Sequence, residues 1–311
     1  MTPRFADRAT QPARGPRDIL RWKLGRKEPR RDDFAAVDAV RPERGDAAVA
    51  AGALASGEPC AVWIGHATWA WRLGGKLVVT DPIWGTSIGG AVPRLAAPGV
   101  ALDAMPAVDV VLVTHDHRDH MDLPSLRALS DDALYVCGIG NGERLAKLGK
   151  RRIVELDWWQ THDDGALAIT FVPARHWSMR MPWNRNDTLW GGFVVAAPEG
   201  VAYHAGDTSF GEHFADIRAK CPRIDWAMLP IGGYAPRWFM EPQHIDPDEA
   251  GRAFDALGAT NLLAMHWGTF RLTDEAVGEP PERLRAWWAT RGLPRERLWL
   301  CGAGEVRRLA T

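Results

Sequence analysis

The stretch Thr114-His115-Asp116-His117-Arg118-Asp119-His120-Met121-Asp122 constrains this chain more than any other, because it sets three imidazoles and three carboxylates directly behind an apolar run. Residues 108–113 (VDVVLV) are short, β-branched and almost wholly apolar, the pattern of a buried strand. The histidines are therefore expected in the loop at its C-terminal end. Neutral imidazole and carboxylate are natural ligands of a borderline divalent cation such as zinc, and His-x-His-x-Asp-His offers four of them. In extended backbone His115 and His117 point to the same side and can face one cation, while the following turn presents Asp119 and His120 to a second. The spacing predicts a two-metal loop rather than a merely hydrophilic one.

A pair of cations needs more ligands than one loop supplies, and further candidates stand in matching positions. His176 follows a predicted strand over 166–172, Asp207 follows one over 200–204, and His266 follows one over 262–265. Each lies just past a buried strand, where sites in sheet proteins gather. The expected division is His115, His117 and His176 around one metal and Asp119, His120 and His266 around the other. Asp207 bridges, since one carboxylate with two oxygens can hold two cations. His66 and His244 lie in polar loops and are candidates for orienting a ligand or touching substrate. His162, His204 and His213 look structural or solvent-facing.

The 311 residues, 46% of them hydrophobic, suffice for a substantial core in one large or two small domains. The formal charge of −1 is unevenly spread: residues 1–31 hold ten Lys/Arg against three acids, so the arm is basic (+7) and the remainder acidic (−8). Within the arm, Ile19-Leu20-Arg21-Trp22-Lys23-Leu24 interleaves apolar and basic residues; it reads either as a foot on a membrane surface or as a segment docking on its own domain. Nucleic-acid binding would rest on that arm alone and is not expected. The four cysteines, at 60, 137, 221 and 301, form no Cys-x-x-Cys pair, which argues against a thiolate zinc site or a disulfide framework and for a reducing compartment. No apolar signal segment or membrane span is legible, so a cytoplasmic protein is expected, with peripheral attachment to the inner face of the membrane as an extension. The sequence does not fix the oligomeric state, a homodimer being one option. Sixteen Trp against three Tyr is unusual; most of the Trp are expected in the core.

Residues 37–59 predict a short helix or connector, and from Ala61 strands dominate. Strands over 68–73 and 76–80 flank Gly74-Gly75, the signature of a two-residue hairpin turn. Further strands are expected at 135–137, 192–197 and 226–229, and helices at 141–148, 246–257 and about 281–290. The second of these helices opens with Asp246 as N-cap, Pro247 in the first turn and Glu249 at the third position. Many strands in two runs with few long helices predict two sheets packed face to face with helices outside, in one domain over 51–311 behind an arm and connector over 1–50.

These residues resemble the metallo-β-lactamase superfamily, and within it the branch of N-acyl-phosphatidylethanolamine-hydrolysing phospholipase D. The superfamily likeness rests on His115 to His120 with His176, Asp207 and His266. The branch likeness adds Trp63-Ile64-Gly65-His66-Ala67-Thr68, Thr80-Asp81-Pro82, Glu155-Leu156-Asp157-Trp158-Trp159, His176-Trp177-Ser178 and Thr188-Leu189-Trp190-Gly191-Gly192. Ala205-Gly206-Asp207-Thr208, Pro236-Arg237-Trp238-Phe239-Met240, Gln243-His244 and His266-Trp267-Gly268-Thr269-Phe270 extend it, from about Ala61 to the C-terminus. Ala235 departs from the branch pattern, which has an acid between Tyr and Pro, and Gly302-Ala303-Gly304-Glu305 departs from a His-Gly-Glu-like turn.

The resemblance implies an α/β fold, an αββα sandwich of two mixed sheets with outer helices, and two Zn2+ at one edge, with iron or manganese as other options. It gives the seven ligand residues the roles above. Asp207, Asp119 and His244 become the catalytic candidates, and His66, Asp81, Trp177, Tyr234, Gln243 and His244 the candidates for substrate contact or ligand support. The implied activity is phosphodiester hydrolysis releasing N-acylethanolamine and phosphatidic acid from a phospholipid or lipid-like diester. A soluble lactonase or small-phosphoester hydrolase of the same fold and a non-catalytic metal or lipid binder are the alternatives; a broken ligand set would mark the last, and none is broken.

Overall fold

The computed structural model describes residues 4–25 and 30–309. The strands run β1 (Cys60–Gly65), β2 (Thr68–Leu73) and β3 (Lys76–Thr80), a two-stranded ribbon of β4 (Ser87–Ile88) and β5 (Val92–Pro93), then β6 (Val110–Val113), β7 (Leu134–Gly138) and β8 (Arg152–Leu156). They continue through β9 (Thr161–Asp163), β10 (Ala168–Val172), β11 (Gly192–Ala197), β12 (Gly200–His204), β13 (Trp226–Pro230), β14 (Asn261–Met265) and β15 (Leu298–Trp299) to β16 (Val306–Arg308). The helices are α1 (Pro16–Leu24), α2 (Phe34–Asp38), α3 (Ala47–Ala55), α4 (Leu123–Ala128), α5 (Gly142–Lys147), α6 (His213–Lys220), α7 (Arg237–Met240), α8 (Pro247–Leu257) and α9 (Glu279–Thr290).

Two seven-stranded sheets result, ordered β16-β1-β2-β3-β6-β7-β8 and β15-β14-β13-β12-β11-β10-β9. Both are mixed. In the first, the hairpins are antiparallel and β3, β6, β7 and β8 run parallel; in the second, β9 to β12 are antiparallel and β12 to β15 parallel. The β2–β3 hairpin closes through Gly74 (φ 56°) and Gly75 (φ 70°), left-handed conformations that only glycine adopts freely, with Leu73 paired to Lys76.

Trp63, Trp69, Phe171, Phe193 and Tyr203 belong to the larger core, which continues to Phe214, Phe254 and Trp288 of α6, α8 and α9. A second core joins Leu54, Leu126 and Leu145 of α3, α4 and α5 to Val62, Val79, Val111 and Tyr135 of the first sheet. The layers are thus helices, sheet, sheet, helices, the αββα arrangement expected. At α8 the Asp246 side chain accepts from Glu249 N–H (2.8 Å) and Glu249 returns a bond to Asp246 N–H (3.1 Å), a reciprocal cap that stabilises a helix start by about 1 kcal/mol.

Of the two readings of the arm, a membrane-surface foot or a segment docking on its own domain, the contacts display the docking. Phe5 is buried in the larger core and its N–H donates to Asn186 O at 2.9 Å. Ile19 to Leu24 lie in a nine-residue helix, too short to be stable alone, and Trp22 of that helix stacks near Phe239 at 4.9 Å between ring centroids. One face of α1 therefore docks on its own chain, while Ile19, Leu20 and Leu24 stay exposed. Of the basic arm, residues 1–3 and 26–29, including Arg26 and Lys27, fall outside the described residues. Among the described residues no helix is long and apolar enough to cross a membrane, and all four cysteines are free.

Candidate metal centre

Four strand ends feed one pocket. The β6 strand stops at Val113 and releases the loop carrying His115, His117, Asp119 and His120; β10 is followed by His176, β12 by Asp207 and β14 by His266. The Asp207 loop can come this close because Gly206 (φ 62°) has no side chain: a Cβ there would lie 2.9 Å from Gly191 O and from Thr114 Cβ.

The side chains form two sets, which a third group of Asp207, His244 and His266 links. In one, ligand atoms of His115, His117, His176 and Asp207 lie within 4.8 Å of one another; in the other, His66, Asp119, His120 and His266 do. Asp207 reaches across, with Oδ2 3.1 Å from His120 Nε2 and 3.8 Å from His176 Nε2, and Oδ1 3.2 Å from His266 Nε2. The seven expected residues are all brought together, His115, His117, His176 and Asp207 in the first set and Asp119, His120 and His266 in the second. His66 joins it more intimately than a surrounding role requires, since its Nε2 lies 3.0 Å from Asp119 Oδ2. His244 Nδ1 lies 4.0 Å from Asp207 Oδ2, in a group with Asp207 and His266.

A surrounding layer fixes these rings. Asp81 accepts from Thr114 N–H (2.8 Å) and Thr114 Oγ1–H (2.7 Å), and its Oδ2 stands 2.7 Å from His120 Nδ1. Thr114 Oγ1 is also 2.9 Å from His115 Nδ1, so one carboxylate orients two imidazoles. The backbone carbonyl of Gln243 lies 2.9 Å from His176 Nδ1, and its side-chain oxygen accepts from Trp177 Nε1 at 2.6 Å. Trp177 stands edge-on to His117, with centroids 4.5 Å apart. Tyr234 does not join this layer: its hydroxyl donates to Glu279 Oε1 at 2.5 Å, in a cavity of about 220 Å³ shared with Arg30, Arg31, Arg237 and Arg283. Beside it Ala235 brings no acid, and the Glu275 carboxylate takes the N–H groups of Gly233 and Ala235. His204 and His213 are buried against Ala67 O (2.9 Å) and Thr208 Oγ1 (3.1 Å), as structural histidines.

The backbone is strained at this centre. His66 (φ 55°), Asp81 (φ 39°) and His266 (φ 63°) all adopt left-handed conformations that L residues avoid, and such strain persists where the surroundings fix it for function. His66 and Asp81 were therefore legible as polar residues at strand ends, but their approach to Asp119 and His120 depends on tertiary contacts between turns far apart in sequence.

Electrostatics divide the histidines. Burial pushes His66 and His117 down to about 4 and His176 and His244 to about 3. At His120 and His266 burial also opposes charge, but Asp207 and Asp119 outweigh it, raising His266 to about 9 and His120 well above its ordinary value. Burial would raise Asp119 and Asp207; the adjoining imidazoles hold both well below the usual carboxylate range. The buried His120 Nε2, His266 Nε2 and Asp207 Oδ1 make no hydrogen bond, although each belongs to these sets. Orphaned donors and acceptors in a dry, nitrogen-rich pocket with two carboxylates fit a pair of divalent cations, which would replace the protons at His120 and His266.

Comparison with known proteins agrees with this geometry. The β-lactamase superfamily domain matches residues 76–267. Over 235 residues the chain is 40% identical to the uncharacterized protein Rv0906 of Mycobacterium tuberculosis (strain ATCC 25618 / H37Rv), covering 72% of this chain and 62% of that protein, so it spans less than two thirds of that relative. It is 32% identical over 244 residues to N-acyl-phosphatidylethanolamine-hydrolyzing phospholipase D 1 of Caenorhabditis elegans, covering 72% of this chain and 68% of that protein. The isothiocyanate hydrolase from Delia radicum gut bacteria shares the fold, with a TM-score of 0.65 at 20% identity over 81% of this chain and 99% of that one.

Proposed function

This chain belongs to the metallo-β-lactamase superfamily, and from that premise we propose that it is a metal-dependent hydrolase that cleaves a lipid phosphodiester in the manner of a phospholipase D. The observation that carries the reading is the convergence of six ligand-type side chains from three strand ends on Asp207, which follows a fourth. The likeness to the Caenorhabditis elegans phospholipase supports N-acyl-phosphatidylethanolamine or a related lipid as substrate, with N-acylethanolamine and phosphatidic acid as products.

His115, His117 and His176 would hold one cation and Asp119, His120 and His266 the other, with Asp207 shared and His66 beside the second. The donor set suits zinc, and iron or manganese also accept it. When bound, such a pair makes water ionise near neutral pH and neutralises charge gathering on the phosphoryl oxygens. Asp207, central and buried, accepts a hydrogen bond from the attacking water and aims its lone pair at phosphorus. Asp119 is kept ionised and in place by His66 and His266. The water oxygen forms a new bond to phosphorus, the bond from phosphorus to the alcohol oxygen breaks, and one water proton ends on that leaving oxygen. His244, within 4.0 Å of Asp207, is placed to relay that proton.

The rim supports a lipid substrate. Of the seven exposed large apolar side chains among the described residues, five lie in only two segments: Ile19, Leu20 and Leu24 on α1, and Met181 and Trp183 on the 177–188 loop. The first segment packs on α7, which leads to Gln243, and the second begins at Trp177, which donates to Gln243, so both are tied to the same stretch of chain. With Arg17, Arg21 and Lys23 interleaved, α1 suits an anionic bilayer surface.

The deciding experiment supplies zinc, iron or manganese to the purified protein and offers N-acyl-phosphatidylethanolamine, a soluble phosphodiester and a lactone. Release of N-acylethanolamine, reduced roughly 10²- to 10³-fold by Asp207→Asn with the fold unchanged, is expected. Turnover of the lactone alone would overturn the phosphodiesterase reading.

A further inference from the structure

We propose that Arg185 forms an anion subsite beside the metal centre and binds a phosphate group other than the one being cleaved. The proposal rests on the phosphodiesterase reading above for what lies in the centre, and on the rim's own geometry for the subsite. Arg185 lies on the loop that follows His176, with its guanidinium carbon 4.1 Å from the centroid of the Trp177 ring. That ring is in turn edge-on to His117 at 4.5 Å. Trp177 cannot swing freely, because its Nε1 donates to Gln243 at 2.6 Å and Gln243 also meets His176 through its carbonyl. With one cation–ring and one ring–ring step between them, the guanidinium stands beside His117 and outside the ligand sets, within reach of a group next to the one held there.

The loop itself is braced. Asn184 Oδ1 accepts from the N–H groups of Arg180 (3.0 Å) and Met181 (2.7 Å), and Asn186 N–H donates to Ser178 O (2.8 Å) while its carbonyl accepts from Phe5 N–H. Stacking on Trp177 occupies the face of the guanidinium and leaves its edge donors, a fork matched to two oxygens of a phosphate.

Those donors are unspent. Among the described residues Arg185 has neither an ion-pair partner nor a hydrogen-bond acceptor, and burial alone lowers its pKa, with no carboxylate opposing the shift. Neighbouring arginines differ. Arg180 donates to the carbonyls of Asp116 (3.2 Å) and Met121 (2.6 Å), Arg144 faces Asp116 at 3.7 Å, and Arg94 bonds the carbonyls of Gly85 and Ile83. Those three brace the fold. Arg185 is a half-buried arginine stacked on Trp177 whose charge no carboxylate compensates, and an oxyanion is a ligand that would compensate it.

The phosphate has two sources, a second group on the substrate or the headgroup of a neighbouring anionic lipid. The test uses a matched soluble pair, thymidine 5′-(p-nitrophenyl phosphate) and the same diester bearing a 3′-phosphate, with zinc-loaded wild type, Arg185→Gln and Arg185→Lys. A KM about tenfold lower for the 3′-phosphorylated diester, lost in Arg185→Gln and partly kept in Arg185→Lys, places the group on the substrate. No preference in the soluble pair, but stimulation by phosphatidylglycerol in phosphatidylcholine vesicles that Arg185→Gln removes, places it on a neighbouring lipid; either result supports the subsite. Calorimetric binding of thymidine 3′,5′-bisphosphate against thymidine 5′-phosphate reads the same residue without turnover. Failure to cleave either diester would therefore count against the phosphodiesterase reading, whereas identical binding and kinetics in wild type and Arg185→Gln would overturn the subsite.

Discussion

At the scale of single residues, Asp81 shows how much of the centre is decided outside the ligands. Its carboxylate meets Thr114 twice and His120 once, so it fixes the orientation of one imidazole directly and a second through Thr114. Asp81→Asn isolates that effect, because asparagine tolerates the positive φ at this position and replaces an acceptor oxygen by an amide NH2 that faces donors with a donor. We expect zinc affinity and kcat/KM to fall roughly 10- to 100-fold with little change in the thermal midpoint, measured by competition with a chelating dye and by assay. Unchanged affinity would mean the ligand rings hold themselves. Proton competition belongs to the same scale: His266, near 9, carries a proton at neutral pH that a cation must displace. Zinc affinity should therefore rise with pH up to about 9, about tenfold per unit for each proton released, and a flat profile in a pH-stepped titration would contradict the arrangement. The seven candidate ligands were legible because each follows an apolar run in the sequence. Asp81 and His66 owe their contacts with His120 and Asp119 to strained turns brought together only by the folded sheets, which local pattern does not encode.

At the scale of elements, the apolar interior strands were the most legible, whether or not they lead to the centre. Gly192–Ala197 and Gly200–His204 lie where apolar alternation predicts them, and β6, β13 and β14 differ from expectation by two residues or fewer at either end. The elements that escaped are of another kind. Ser87–Ile88, Val92–Pro93, Thr161–Asp163, Leu298–Trp299 and Val306–Arg308 are two or three residues long, and Arg152–Leu156 is a partly exposed strand beginning at two arginines. Their partners, not their composition, make them strands. The α1 helix is similar, since Trp22 against Phe239 supplies what nine residues cannot. That division of labour within α1 makes a clean test of the rim. Leu20 and Leu24 are 59% and 78% exposed, so replacing both by Glu leaves the docked face intact. Leu20→Glu with Leu24→Glu should lower activity on anionic vesicles roughly tenfold and leave a soluble diester untouched. Equal losses on both would assign α1 to stability alone.

At the scale of the whole molecule, a centre walled by buried imidazoles makes stability depend on pH in a direction that can be worked out. His66 and His117 sit near 4 and His176, His244 and His213 near 3, all below the ordinary value of 6.5 they regain on unfolding. Below 6.5 the unfolded chain thus binds more protons than the folded one, so the stability these groups provide is present above 6.5 and is lost as pH falls toward 3, at up to about 1.4 kcal/mol per pH unit for each group. His266 runs the other way: its contribution is complete below 6.5 and is lost as pH rises through about 9. Asp119 and Asp207, held low, add stability that disappears only at more acid pH. Chelator-treated protein should therefore show its highest thermal midpoint near pH 6.5, a steep decline from 6.5 to 4 and a shallower one from 6.5 to 9, followed by circular dichroism. Zinc in hundredfold excess over its dissociation constant should raise the neutral-pH stability by about 2.7 kcal/mol, and this increment should shrink on acidification as protons compete for the same nitrogens. A chelated protein as stable at pH 4 as at pH 7 would mean that these histidines take up protons without unfolding the pocket, which a dry centre cannot allow.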